Sequence, residues 1–423
     1  MSSESALTQP GQPAVDIVSL VDDFVKESID LQKGRLEAKY DPFWKGLCAL
    51  GSELWLDTGD IDAATTLWTD EFAALTTNNT LLNAEVQKGI YDDLIQKAAA
   101  ALSVLDLRTR IIEIAFILNA RHGLRLVQRF GGRVSVELHT DLAHDVERSV
   151  AYGHRYYDIC PEHFIIKVPL TASGLIAMRR LQEEGIPVNF TLGFSARHNY
   201  IATTFGAPSY VNVFLGRLNA YMVDNQLGDG KLVGEKAALA SQRVVKSISE
   251  RNQKPTQQIS ASLRDAGQLL YLAGIDVFTM PTKVATDARE KLSGRWESSV
   301  ENDYAINLND GISEPYLRVN TLWDVSEAER RLADSLATDV PLTATGLVNR
   351  AHDLGAGDLF PRVSNADLAR IAADGKVPRH AVWADRVKSG ELAIDTLLNL
   401  AGLASFASDQ KALDDRIRRL IVR

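Results

Sequence analysis

From residue 54 to about residue 300, short apolar runs alternate with longer segments of helical period. The runs are Leu54–Asp57, Phe72–Asn78, Arg133–Leu138, His163–Leu170, Pro187–Leu192, Tyr210–Gly216, Gln257–Leu263 and Asp276–Met280. Each has the length and composition of a strand. One helical segment starts near Ser173, carries Ile176, Ala177 and Leu181, and stops at Gly185 just before Pro187. Eight strands alternating with helices predict an α/β chain closed into a parallel (β/α)8 barrel. The rival arrangement, an open doubly wound sheet, lacks its phosphate-binding glycine fingerprint here.

The two-residue period of a strand separates its faces. Phe164, Ile166, Val168 and Leu170 share a wholly apolar face, while Ile165 and Lys167 share the other. A cation inside such a strand is costly unless it has a partner or a task. The polar faces of other runs carry Ser135 and Glu137, Asn189 and Thr191, Asn212 and Phe214, and Ser260, Ser262 and Arg264. In a helix-covered barrel the apolar face meets the helices and the second face looks toward the axis. Polar groups gathered at the C-terminal strand ends describe an active site. A buried lysine held neutral is a nucleophile toward carbonyl carbon.

The flanks differ from this middle. Residues 1–53 are expected to form a flexible tail, Met1 to Ala14, followed by helices over 15–50, with Val18, Leu20, Val21 and Phe24 as an apolar stripe. Past residue 300 the pattern is helical only. The expected layout is therefore 1–53, a catalytic barrel over 54–300, and a helical extension over 301–423. Ser326 with Glu329, and Ser364 with Asp367, have the spacing of capping boxes, the second helix closed by Gly375 and Pro378. Residues 397–423 read as an amphipathic helix. A content of 45% hydrophobic residues in 423 supports a sizeable core. The net charge of −9 argues against nucleic acid and anionic membranes as main partners. Two cysteines, Cys48 and Cys160, exclude a disulfide framework, and neither a leader pattern nor a membrane-length run is visible. A reduced, cytoplasmic setting is the expectation.

Leu56-Asp57-Thr58-Gly59-Asp60-Ile61, Thr76-Thr77-Asn78-Asn79-Thr80-Leu81, Ile166-Lys167-Val168-Pro169, Val188-Asn189-Phe190-Thr191-Leu192 and Gly216-Arg217 follow in an order and spacing that resembles transaldolase. Phe406-Ala407-Ser408-Asp409-Gln410 is similar to that family's C-terminal helix. The resemblance covers roughly residues 54–300. It implies a TIM barrel of the class I aldolase type, acting on sugar phosphates through a lysine Schiff base, with no metal and no organic cofactor. Lys167 matches the Schiff-base lysine and Asp57 the proton-transfer aspartate. Glu137 matches the glutamate that, with Thr191, holds a water for carbinolamine formation and dehydration. Asn78 and Asn189 match asparagines that hydrogen-bond the dihydroxyacetone part of the substrate. Arg217, Arg264 and Ser262 match the phosphate site. Phe214 matches a position where transaldolases carry phenylalanine and fructose 6-phosphate aldolases tend to carry tyrosine. The implied reaction moves a dihydroxyacetone unit from sedoheptulose 7-phosphate to glyceraldehyde 3-phosphate, giving erythrose 4-phosphate and fructose 6-phosphate in the pentose phosphate pathway. A homodimer is compatible with the resemblance.

Some residues depart from the family pattern. Asn79 replaces the usual proline, and Asn212 stands where serine is usual near the substrate. The region from about 300 to 396 is longer than in a typical transaldolase. These departures keep two other readings open: an aldolase or specialised transaldolase-like enzyme, and a catalytically silent sugar-phosphate binder. His139, His144, His154 and His163 match no metal template and read as solvated. Gly131-Gly132 reads as a turn, and Trp55 as packing.

Overall fold

All eight apolar runs form strands: β1 (Glu53–Asp57), β2 (Phe72–Thr76), β3 (Arg133–Glu137), β4 (Phe164–Pro169), β5 (Val188–Thr191), β6 (Tyr210–Phe214), β7 (Gln257–Ala261) and β8 (Val277–Pro281). They pair in parallel in sequence order, and β8 returns to β1, so the sheet is a closed barrel with no free edge. The computed structural model describes residues 16–341 and 343–422. Helices follow the strands and cover the outward faces. Phe164 of β4 lies so close to helix Leu107–Phe130 that a β-carbon on Gly123 would come within 2.9 Å of its ring. That helix starts at Asp106, whose carboxylate accepts from the N–H groups of Arg108 and Thr109. It ends at Gly131, left-handed at φ +64°, so the Gly131-Gly132 pair is a helix stop.

Inside the barrel the lower layer is filled. Arg133 donates to Glu53 at 2.5 Å and to the Tyr210 hydroxyl, and Trp55 packs edge-on to Tyr210 with ring centroids 4.8 Å apart. Trp55 is thus packing at the floor, and the layer above is left to polar groups. Strand β7 departs from the expected faces. Ile259 and Ala261 line the cavity, so Ser260 faces the helices. Ser262 and Arg264 reach the mouth because Ser262 leaves the strand at φ +63°, which breaks the two-residue alternation.

The flanks also differ in part from expectation. Before the barrel the helices are Ile17–Lys26 and Pro42–Cys48, and residues 27–41 are not helical. Gly34 at φ +76° interrupts the chain, and Pro42 starts the second helix at its first position. The expected loose segment Met1 to Ala14 lies outside the described residues. Beyond the barrel both capping boxes form, opening helices Glu327–Thr338 and Asn365–Asp374. Residues 301–313 are not helical, and Leu308 makes an isolated bridge with Gly228. The long helix Ile394–Ile421, called the mouth helix below, crosses the C-terminal ends of the strands. Its Asn399 donates to the carbonyls of Leu170 and Leu192 at 3.1 and 3.0 Å, just past β4 and β5.

A buried ionic cluster joins the barrel to the extension. Arg197, in the first turn of helix Ala196–Gly206, is 1% exposed. Its guanidinium donates to Asp395 at 2.8 and 2.9 Å, to Glu329 at 2.9 Å and to Asp358 at 3.1 Å. Burial works against its charge, but the three carboxylates hold its pKa well above the ordinary value. Burial works against Asp395 as well, yet Arg197 and His198 keep it well below the usual carboxylate range.

Candidate active site

A cavity opens at the C-terminal ends of the strands, the end where barrels of this kind place their chemistry. Lys167, in mid-β4 and 5% exposed, lines it. Strand register sets Glu137 beside it on one side and Asn189 on the other. Its Nζ donates to the Thr77 carbonyl at 3.2 Å and lies 5.7 Å from the centre of the Phe406 ring. No carboxylate of the described residues forms a close ion pair with it, although two are near enough to act on it electrostatically.

The first of these is Asp57, at the end of β1. Its Oδ1 accepts from the Thr76 hydroxyl at 2.8 Å, and Thr76 is 2.6 Å from the Thr279 hydroxyl. Since Thr76 donates to Asp57, Thr279 donates to Thr76. Asp57 is open to the cavity on one side and enclosed by protein elsewhere. Enclosure pushes its carboxyl above the ordinary range, opposed by Lys167, Thr76 and Arg264. The second is Glu137, which accepts the backbone N–H of Asn79 at 3.0 Å. Burial raises its pKa too, opposed by Lys167 and then by that N–H. Glu137 also borders a neighbouring apolar cavity of about 620 Å³, between the strand ends and the extension. Phe406 borders both.

Amides and hydroxyls form the next layer. Asn78 caps helix Asn79–Gln87, its side-chain oxygen accepting from Leu81 N–H at 2.9 Å, and its amide nitrogen is left for the cavity it lines. Asn189 donates to Ser135 at 3.1 Å and accepts from Asn212 at 3.0 Å, so Asn212 braces it. The Thr191 hydroxyl is buried with no protein partner. The chain then turns at Leu192 with φ +68°, and Gly193 packs where a β-carbon would sit 2.2 Å from the Asn212 carbonyl oxygen.

The opposite end is cationic. Arg217 sits in the first turn of helix Leu215–Asp224, 5% exposed, with Nη1 lacking any hydrogen-bond partner. Burial, reinforced by the charge of Arg264, lowers its pKa to about 10, with Asp409 opposing. Gly216 lets this turn seat against Ser262, whose carbonyl oxygen would be 2.1 Å from a β-carbon there. The rings of Phe214 and Phe406 lie 5.5 and 5.8 Å from the Arg217 guanidinium. A buried cation beside an exposed one, neither with an ion-pair partner among the described residues, is a setting suited to an anion.

The structure thus gathers Lys167, Asp57, Thr191, Asn78, Asn189, Asn212, Phe214, Arg217, Ser262 and Arg264 around one cavity. Glu137 adjoins them beside Lys167, on the same face of β3 as Ser135. Residue reading missed Thr76, Thr279 and Lys376. Thr76 stood inside a quoted motif, and Thr279 was legible as a polar position in an apolar strand. Lys376 carries no signal at all. His139 is not solvated: it is buried, 3.2 Å from Asp414 on the mouth helix. Among the described residues no cluster of His, Cys, Asp or Glu is suited to a metal, and no helix is long and apolar enough to cross a membrane.

A closed (β/α)8 barrel with a lysine deep in the cavity at its C-terminal face defines the class to which comparison can be made. The family model of transaldolase/fructose-6-phosphate aldolase matches residues 54–314. The chain is 29% identical over 309 residues to a transaldolase of Xanthomonas campestris, covering 71% of this chain and 91% of the relative. It is 30% identical over 309 residues to a transaldolase of Xanthomonas oryzae, with the same coverage, and 25% identical over 307 residues to one of Shewanella oneidensis. The chain belongs to the transaldolase/fructose-6-phosphate aldolase family. A proline at position 79 would have no N–H, so the Asn79–Glu137 contact depends on the asparagine that stands there.

Proposed function

We propose that the chain is a transaldolase that works through Lys167. The observation that carries this is a single buried lysine between Asp57 and Glu137, at one end of a cavity whose other end holds Arg217 and Arg264. Neutral Nζ attacks the keto carbon of a sugar phosphate such as sedoheptulose 7-phosphate. Glu137 and Thr191 handle the water that leaves as the Schiff base forms. Asp57 takes the hydroxyl proton as the adjacent carbon–carbon bond breaks, and the electron pair stays on the dihydroxyacetone fragment as an enamine on Lys167. Erythrose 4-phosphate departs. The enamine adds to glyceraldehyde 3-phosphate, Asp57 returns the proton to the new hydroxyl, and hydrolysis frees fructose 6-phosphate. Asn78 and Asn189 hold the dihydroxyacetone hydroxyls, with Asn212 behind Asn189. Arg217, Arg264 and Ser262 hold the phosphate, and Phe214 shields it. This reading places the protein in the pentose phosphate pathway of a reducing cytoplasm, as a monomer or homodimer, with residues 54–300 as its catalytic unit.

Borohydride added with fructose 6-phosphate should fix a label on Lys167, and a coupled assay with sedoheptulose 7-phosphate and glyceraldehyde 3-phosphate should show turnover. An unlabelled wild type, or an equally labelled Lys167→Ala, sinks the mechanism. Steady release of free dihydroxyacetone without an acceptor would mark an aldolase instead.

A further inference from the structure

One side chain of the extension lines the Lys167 cavity from the loop between helices Asn365–Asp374 and His380–Lys388: that of Lys376. It lies beyond the residues matched by the family model. The loop is fixed at both ends. Asp374 accepts from the Arg379 backbone N–H at 3.1 Å and from its Nε at 2.7 Å. Asn225 donates to the Pro378 carbonyl at 3.0 Å and accepts from the His380 N–H at 2.7 Å, while Tyr221 and His380 share a buried contact of 2.8 Å. Tyr221 belongs to helix Leu215–Asp224, which Asn225 ends and whose first turn carries Arg217. One helix therefore positions both Arg217 and the loop of Lys376.

The charges then decide the ligand. Arg217 lines this space, buried and with an Nη1 that lacks a hydrogen-bond partner and lies against Gly402 of the mouth helix, and Arg264 and Lys376 border the same opening. Among the described residues none of the three forms an ion pair, and Asp409 is the carboxylate that acts on Arg217. Arg217, Arg264 and Lys376 put three cations at this opening against the carboxylates of Asp57 and Asp409, so the opening is net cationic and suits the anionic end of a phosphate monoester. We propose that Lys376 is a third phosphate-binding cation, supplied by the extension, and that it sharpens selection of phosphorylated over phosphate-free sugars. This rests on the sugar-phosphate chemistry proposed for Lys167.

The test uses the full-length protein and inorganic phosphate, measured by calorimetry and as a competitive inhibitor. Lys376→Ala should weaken phosphate binding about tenfold. It should raise KM for the phosphorylated donor by a similar factor, more than for a phosphate-free ketose, with kcat changed far less. Lys376→Arg should recover most of the loss. Lys254→Ala, an exposed lysine in the turn before β7 at the other end of the barrel, should match wild type. Phosphate affinity in Lys376→Ala within about twofold of wild type would overturn the proposal, as would no phosphate binding in wild type. Borohydride trapping with phosphate-free dihydroxyacetone separates the two claims. Its failure in wild type removes the Lys167 chemistry, while the calorimetry still reads Lys376.

Discussion

Arg197 and Arg217 are both buried, and the protein treats them in opposite ways. Arg197 is surrounded by Asp395, Asp358 and Glu329, and its charge is held more firmly than in water. Arg217 faces Arg264, keeps an unpartnered nitrogen, and holds its proton less firmly. The first is a completed cluster whose partners come from the chain. The second is left incomplete by the chain's own side chains. The same contrast separates Asp395, held well below the carboxylate range, from Asp57 and Glu137, pushed above it. A fold closes its structural charges and leaves its chemical ones open.

The sharpest break of this contrast is Lys167→Ala. Turnover in the coupled assay should fall on the order of 10⁴-fold or more, with the fold intact by circular dichroism. Asp57→Asn should cost about 10²- to 10⁴-fold in kcat. Its stability should move the other way. A carboxylate with a raised folded pKa binds its proton more tightly in the folded chain, so it subtracts stability as pH rises above the unfolded value and through the folded one. Asp57→Asn and Glu137→Gln should therefore be more stable than wild type at neutral pH and equal to it near pH 4, as read by denaturant midpoints. On the other side of the comparison, Arg197→Ala strands three buried carboxylates and should cost about 3–5 kcal/mol of stability. Asp395 adds to this with the reverse sign: its contribution is present above the unfolded carboxylate pKa and is lost as pH falls toward its depressed folded value. Arg217→Ala should leave the denaturant midpoint nearly unchanged and raise KM for phosphorylated substrates. The smallest expected effect is Asn79→Pro. Position 79 is the first of its helix, where proline is tolerated, so only the N–H to Glu137 is lost. Glu137 should then titrate higher, visible as an upward shift of the acid limb of the pH–rate profile, with a rate loss of about tenfold or less.

The contrast also explains what was legible in the residues alone. The barrel was legible because most strands write their burial as a two-residue alternation, and Lys167 stood out by breaking an apolar run. β7 was misread because Ser262 adopts a left-handed backbone, a departure that alternation cannot register. The Arg197 cluster was invisible because its members come from positions 197, 329, 358 and 395, each a common surface residue in isolation. Lys376 was invisible for the same reason. Asn79 was legible as a departure, but its use, an N–H toward Glu137, depends on how two strand ends meet.

The mouth helix gives this division a mechanical meaning. Asp395 near its start is clamped by Arg197, and Phe406, which borders Lys167 and Arg217, lies eleven residues further on. At the rise of an α-helix that is a lever arm of about 16 Å. A tilt of about 4° at the clamp would swing Phe406 by about 1 Å, enough in principle to cost about 10²-fold in rate. Thr80 and Asp409 tie the arm down beyond its tip. The ionic joint, with Asn399 and Asp409 further along the helix, thus holds the aim of a ring beside the lysine.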